Sequence, residues 1–364
     1  MGYYKGYCNF NHEILPYAIN ALLKMQTITI KKPDDWHLHL RDGKMLAQVV
    51  QHSARQFGRA LIMPNLQPPV VTVADALSYQ LRIQKALPDN TDFIPKMALY
   101  LTENTKIEDV KRASQTPEIL AFKLYPAGAT TNSQDGVNSV SSIMPILEEI
   151  ANNNIVLCVH GEATDPSIDV FDREKIFIDQ TLSLIVKEIP SLRIVLEHIS
   201  TKEGVDFVKA NNNVAATITA HHLLENRNAM FKGGLNPHNY CLPVLKRSEH
   251  QQHLIKAAIS GSNKFFAGSD SAPHLKSLKE SSCGCAGIYT AFAAVELYAQ
   301  VFSKHNSLEK MENFMSVFGA DFYGLPHNQN TITLINKPWQ VPKSFFSDQL
   351  VPYLAGGTIK WQMQ

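Results

Sequence analysis

A parallel (β/α)8 barrel with additions at both ends is the fold class that this 364-residue sequence predicts, and three observations carry the reading. Short β-branched or apolar runs recur eight times, amphipathic segments of helical length separate most of them, and polar residues gather at the carboxyl ends of the runs. An open doubly wound sheet is the competing arrangement, but no Gly-x-Gly-x-x-Gly turn follows any run.

Residues 1–24 differ in texture from the rest of the chain, and Met25 immediately precedes the first strand-like run, Thr27–Ile30. The segment reads as an N-terminal extension or as a start assigned too early, which the intact mass of the protein from its native host decides. The barrel domain is expected over 25–364. Its eight runs are Trp36–Leu40, Ala60–Met63, Phe93–Leu99, Leu120–Leu124, Ile155–Val159, Ile194–Leu196, Ala215–Thr219 and Phe265–Ala267. Helical periodicity between them covers Met45–Phe57, Ala74–Leu87, Ser141–Asn152, Phe171–Ile189 and Lys202–Ala210. A helix over Ile288–Phe302 and a strand-like TITLI at Thr331–Ile335 come after the eighth run as C-terminal additions. No repeat or low-complexity tract marks off a second domain.

Composition narrows the function classes. Lys and Arg number 34 against 33 Asp and Glu, so no basic field exists to collect nucleic acid or anionic lipid, and a small-molecule partner is favoured. Five cysteines without regular spacing argue against a disulfide framework and for a reducing, cytoplasmic setting. No apolar run approaches the roughly 18 residues that a membrane span needs. Histidine stands out: there are fourteen, several of them closing apolar runs.

Strand one ends Trp36-His37-Leu38-His39-Leu40-Arg41-Asp42, and alternation along a strand sends His37, His39 and Arg41 to one face. Imidazoles spaced in this way can share a metal, although an isolated His-x-His is as readily a hydrogen-bonded pair. Company changes the balance. Strand five leads into His160, strand six into His198 and strand eight into Asp270, all on the rim where this fold keeps its active site. Lys123 lies inside the apolar run of strand four, where burial favours its neutral amine. Two readings of it stand open: a neutral amine that takes up carbon dioxide as a metal-bridging carbamate, or a lysine that reaches the rim or pairs with Asp270.

The runs KPDDWHLHLRDG at 32–43, MPNLQPP at 63–69, AFKLYPAGATTNS at 121–133, HGE from His160, LEHI from Leu196 and GSDSAPH at 268–274 together resemble the dihydroorotases of the bacterial barrel type, within the amidohydrolase superfamily. The resemblance runs from about Met25 into the C-terminal region and leaves out the first 24 residues. It implies two zinc ions bridged by carboxylated Lys123 (N6-carboxylysine) and a hydroxide. His37, His39 and Asp270 would hold one ion, and His160 and His198 the other. Asp270 would be the catalytic acid and base, and the reaction the reversible cyclisation of N-carbamoyl-L-aspartate to dihydroorotate plus water, in pyrimidine biosynthesis. The family also suggests a homodimer.

The same resemblance places Arg41, Asn65 and His274 at the substrate carboxylate, makes Thr130 and Thr131 part of a substrate lid, and gives backbone contacts at Leu242 and Ala286. His160 would touch substrate as well as metal. The bland alternatives are a turn former at Asn65, a loop residue at His274 and an ordinary flexible loop at 128–133. Cys283-Gly284-Cys285 lacks a partner pair for structural zinc, Glu162 reads as a solvated or structural carboxylate, and His221 and His222, as neighbours on a strand, would point oppositely. Two other functions compete: a hydantoinase-like cyclic amidase, whose neutral substrates need no carboxylate site, and a catalytically silent scaffold, for which no ligand residue is missing.

Overall fold

Side chains along the eight barrel strands fall into two sets, and that division builds the molecule. The computed structural model describes Gly2, residues 26–282 and residues 284–364. Apart from Gly2, the expected N-terminal extension lies outside the described residues. Strand β1 (Thr27–Lys31) precedes the barrel, whose strands are β2 (Asp34–Leu38), β3 (Arg59–Ile62), β4 (Ile94–Tyr100), β5 (Ile119–Leu124), β6 (Val156–Val159), β7 (Ile194–Leu196), β8 (Val214–Ile218) and β9 (Phe265–Ala267). They pair in sequence order and in parallel. Inward residues such as Leu61, Ala98, Ala121, Val195 and Phe266 fill the lumen. Outward residues such as Ile62, Leu99, Phe122, Leu157 and Ile194 join the helices in the larger core. The seam between β9 and β2 is tied at the rim, where Asp270 N donates to His37 O at 2.9 Å and His39 N to Ser271 O at 3.2 Å.

Local signals start the helices. Asp42 caps α1 (Gly43–Gln56) by accepting from Gly43 N, and Thr72 and Asp75 form a reciprocal capping box on α2 (Val73–Ala86). Helix α3 (Ile107–Ser114) falls outside the segments that periodicity singled out, because only Val110 and Ala113 of its residues are buried. Helix α4 (Val140–Asn152) agrees with expectation. The expected helix at 171–189 is α5, residues 173–188, interrupted by a π turn at Ile178–Leu182. Helix α6 (Lys202–Ala210) is as expected, and α7 (Ala220–Leu224), α8 (Ser248–Ala258) and α9 (Lys276–Lys279) come after it.

The helix expected over 288–302 instead runs as α10 (Ala294–Lys304). Residues 288–291 have other partners: Ala272 N donates to Ile288 O, and Thr290 N and Ala291 N donate to Ser271 Oγ. That stretch extends the barrel rim, so its backbone is not free to coil. Helix α11 (Phe318–Tyr323) plugs the opposite end of the barrel, with Tyr323 stacked on Trp36 at 4.5 Å between ring centroids. The two expected terminal strands turn out to be partners. β1 pairs antiparallel with β10 (Thr331–Ile335), followed by the short pair β11 (Trp339–Gln340) and β12 (Thr358–Ile359), and β13 (Gln362–Met363) completes the three-stranded sheet. Among the described residues no helix is long and apolar enough to cross a membrane.

Candidate metal centre and active site

Strand β2 reaches the site through a bulge. Asp34 and Asp35 face Arg59 and Ala60, but the next pairing is Leu38 with Ile62, so Trp36 and His37 share the space opposite Leu61. Trp36 packs in the lumen while His37 lines the pocket above it. The ladder ends at Leu38, earlier than the expected Leu40, and Arg41 adopts a left-handed φ of 59°. Strict alternation is therefore not what gathers His37, His39 and Arg41; the bulge and the bond from His39 N to Ser271 O do so.

Around that corner His37 Nε2 and His39 Nε2 lie 3.2 Å apart, and Asp270 Oδ1 is 3.4 Å from the first and 3.2 Å from the second. Opposite them His160 Nδ1 and His198 Nε2 are 3.3 Å apart, and the His37 and His198 rings approach to 4.9 Å between centroids. Donors ~2.1 Å from a shared tetrahedral cation sit about 3.4 Å from each other. Both groups match that spacing. Burial holds His37 and His198 well below the usual imidazole pKa, which keeps them in the neutral, ligating form. Burial would raise the Asp270 carboxyl, but the adjacent imidazoles, His37 foremost, outweigh it and hold the group well below the usual range. His198 and Asp270 both have left-handed backbones, φ 41° and 44°, a strain of the kind that functional sites retain. These residues fit divalent cations.

Lys123 is wholly buried, its Nζ 4.8 Å from the centre of the Tyr125 ring, and burial brings its pKa down to about 7. It does not reach solvent; the carboxylate it meets directly is Glu197 Oε2 rather than Asp270, while His37, His198 and Asp270 all lie within its electrostatic reach. Glu197 was not singled out from sequence, yet its other oxygen lies 3.0 Å from His37 Nδ1. Of the two readings of Glu162, the solvated one fails and the structural one remains: it is 1% exposed and bonded at 3.0 Å to His160 Nε2, behind the nitrogen that faces His198. Asp35 was missed too. It accepts from Ser269 N and His37 N, joining both sides of the seam beneath the site. A carboxylate one or two residues from a rim histidine was the available signal for all three.

Arg41 lines the pocket, donating through Nε to Pro273 O at 3.0 Å and through Nη2 to His274 Nε2 at 2.9 Å. His274 stands behind Arg41 and is not itself among the lining residues; burial first, then Arg41, lowers its pKa to about 2. Asn65 Nδ2 donates to Thr131 O at 3.0 Å, and Asn132 Nδ2 returns a bond to Asn65 O. The loop is thereby clasped over the candidate metal donors, with Thr130, Thr131, Leu242 and Ala286 lining the same pocket. His221 and His222 sit on α7 rather than on a strand, so alternation does not separate them, and their rings are 4.7 Å apart.

The amidohydrolase family model matches residues 31–346. This chain belongs to the amidohydrolase family. A dihydroorotase of Shewanella denitrificans is 56% identical over 342 residues, covering 93% of this chain and 99% of that protein. The mitochondrial dihydroorotase of Arabidopsis thaliana is 55% identical, covering 92% of this amidohydrolase and 90% of the relative. A crystal structure of dihydroorotase from Campylobacter jejuni superposes with a TM-score of 0.86 at 39% identity, covering 94% of this chain and 98% of that one. Structures of hydantoinases at 12–17% identity and of a dihydropyrimidinase at 11% share the fold.

Proposed function

We propose that this amidohydrolase is a dihydroorotase, which interconverts N-carbamoyl-L-aspartate and dihydroorotate. The observation that carries the proposal is one buried pocket in which His37, His39 and Asp270 face His160 and His198, with the Arg41 guanidinium at its wall. Near-full-length identity of 54–56% to curated dihydroorotases supports the same reading.

His37, His39 and Asp270 would hold one zinc ion, His160 and His198 the second, and Lys123, carboxylated on Nζ, would serve both. The neutral amine that burial favours at Lys123 is the form that reacts with carbon dioxide. Bound there, the metals supply Lewis-acid polarisation of the substrate carbonyl and a water acidic enough to attack near neutral pH. Asp270 Oδ accepts the proton in ring opening and delivers it to the departing amide nitrogen; in ring closure it takes the ureido N–H proton. Arg41 presents a planar fork to the substrate carboxylate, with His274 bracing the fork from behind and Asn65 holding the lid that Thr130 and Thr131 carry. Leu242 and Ala286 offer backbone groups to the ring, and the closed loop excludes water. A homodimer in the cytoplasm, acting on a small molecule, completes the proposal.

A cyclic amidase for neutral rings has no use for the Arg41 and His274 pair, so that reading ranks second. Metal-replete protein assayed on dihydroorotate and on a neutral hydantoin tests the choice, with Asp270→Asn as control. Dihydroorotate turnover that Asp270→Asn abolishes is the expected result. Preference for hydantoin overturns it.

A further inference from the structure

Beyond the rim, a second cluster of metal-ligating side chains lies between α7 and the segment at 241–243. Donor atoms of His221, His222 and Cys241 all fall within 4.8 Å of one another, and all three residues are buried. His221 is 0% exposed, yet neither of its ring nitrogens has a hydrogen-bond partner. An imidazole so buried and unpaired is costly unless something outside the polypeptide uses it. Cys241 Sγ and His222 Nε2 both converge on one carbonyl, Pro243 O, at 3.2 and 3.1 Å. The other nitrogen of His222 is held 2.7 Å from Thr219 Oγ1, as metal-ligating histidines have their second nitrogen held.

We propose that His221, His222 and Cys241, with the carbonyl oxygen of Pro243, form a separate structural site for a borderline divalent cation of the zinc type. Two imidazoles, a thiolate and a carbonyl make a closed four-ligand set, and N/S donors favour zinc over magnesium or calcium. Binding turns His222 to the tautomer with its proton on Nδ1, donated to Thr219 Oγ1, so that Nε2 presents its lone pair. The Cys241 S–H proton is released to solvent, and the thiolate formed offsets one unit of the cation's charge. The site joins the end of β8 to the stretch around Leu242, a residue that lines the rim pocket. A cation here fixes the position of that backbone without touching substrate.

The rim donors carry no sulfur, so a spectroscopic test separates this site from the proposed catalytic metals. Protein stripped with a chelator and reloaded with Co2+ is expected to show a thiolate-to-cobalt charge-transfer band in the near ultraviolet. Cys241→Ser is expected to lose that band together with one cobalt per chain, while a Cys283→Ser/Cys285→Ser variant keeps both. His221→Gln, which preserves size and polarity, is a second variant expected to weaken the band if the first folds poorly. Absence of the band from the unsubstituted protein, or its survival in Cys241→Ser, overturns the assignment.

Discussion

His52 shows how a side chain far from the chemistry can set the acid limit of the fold. Its ring lies 4.9 Å from that of Phe345, and burial, reinforced by Arg55, lowers its pKa to about 4. The folded state therefore keeps His52 neutral, whereas the unfolded chain protonates it near its ordinary 6.5. Its contribution to stability is complete above that value and is lost as pH falls towards 4, because the unfolded state binds the extra proton. Urea unfolding of His52→Gln between pH 7 and 4 is expected to show a shallower loss of stability than the unsubstituted protein; parallel curves refute this. At the rim, Glu162 holds the far nitrogen of His160. Glu162→Ala should lower affinity for the second metal by roughly 10- to 100-fold in chelator competition, with partial recovery in Glu162→Gln. An unchanged affinity would remove Glu162 from the metal centre. The rim histidines were legible because each closes an apolar run. Glu162, Glu197 and Asp35 each lie within two residues of a rim histidine, but that spacing is shared by solvated carboxylates, and the burial that makes these three partners of the histidines is set by the fold.

Eight strands could be read from short apolar runs since each is buried on both faces, a demand that shapes sequence directly. What escaped was backbone irregularity. The irregular end of β2 and the late start of α10 depend on the long-range partner Ser271, and the π turn in α5 leaves no mark in the apolar periodicity. The loop at 128–133 was legible as a small, polar stretch, but its clasp was not. Asn65 and Asn132 exchange bonds between the loop after β3 and the loop after β5, holding Thr130 and Thr131 over the pocket. Closure then depends on a few hydrogen bonds, each worth about 1 kcal/mol net. Replacing both threonines with alanine should cut kcat about 10- to 100-fold, corresponding to one or two such bonds in the transition state, with metal content unchanged. Steady-state kinetics with parallel metal analysis checks it, and unchanged turnover would dismiss the lid role.

Across the whole molecule, the two ends of the barrel are coupled through β2. Trp36 fills the lumen beside Phe266 and stacks on Tyr323 of the plug helix α11, while the adjacent His37 stands among the proposed metal donors. Gly319 makes that packing possible, since a Cβ built there would lie 2.0 Å from Trp36 Nε1, and the indole is only 1% exposed with nowhere to retreat. Gly319→Ala should therefore cost about 1–3 kcal/mol in urea unfolding, the usual range for an overfilled core. The displaced indole also drags on the bulge, so metal affinity should fall even though the substitution lies at the far end of the barrel. Trp36→Ala removes the clashing atoms, which are Nε1, Cδ1 and Cε2 of the indole. In a double-mutant cycle the pair should then destabilise less than the sum of the single changes, a coupling expected of residues in direct contact. Additive losses would mean that plug and rim respond independently, and the mechanical link through β2 would fail.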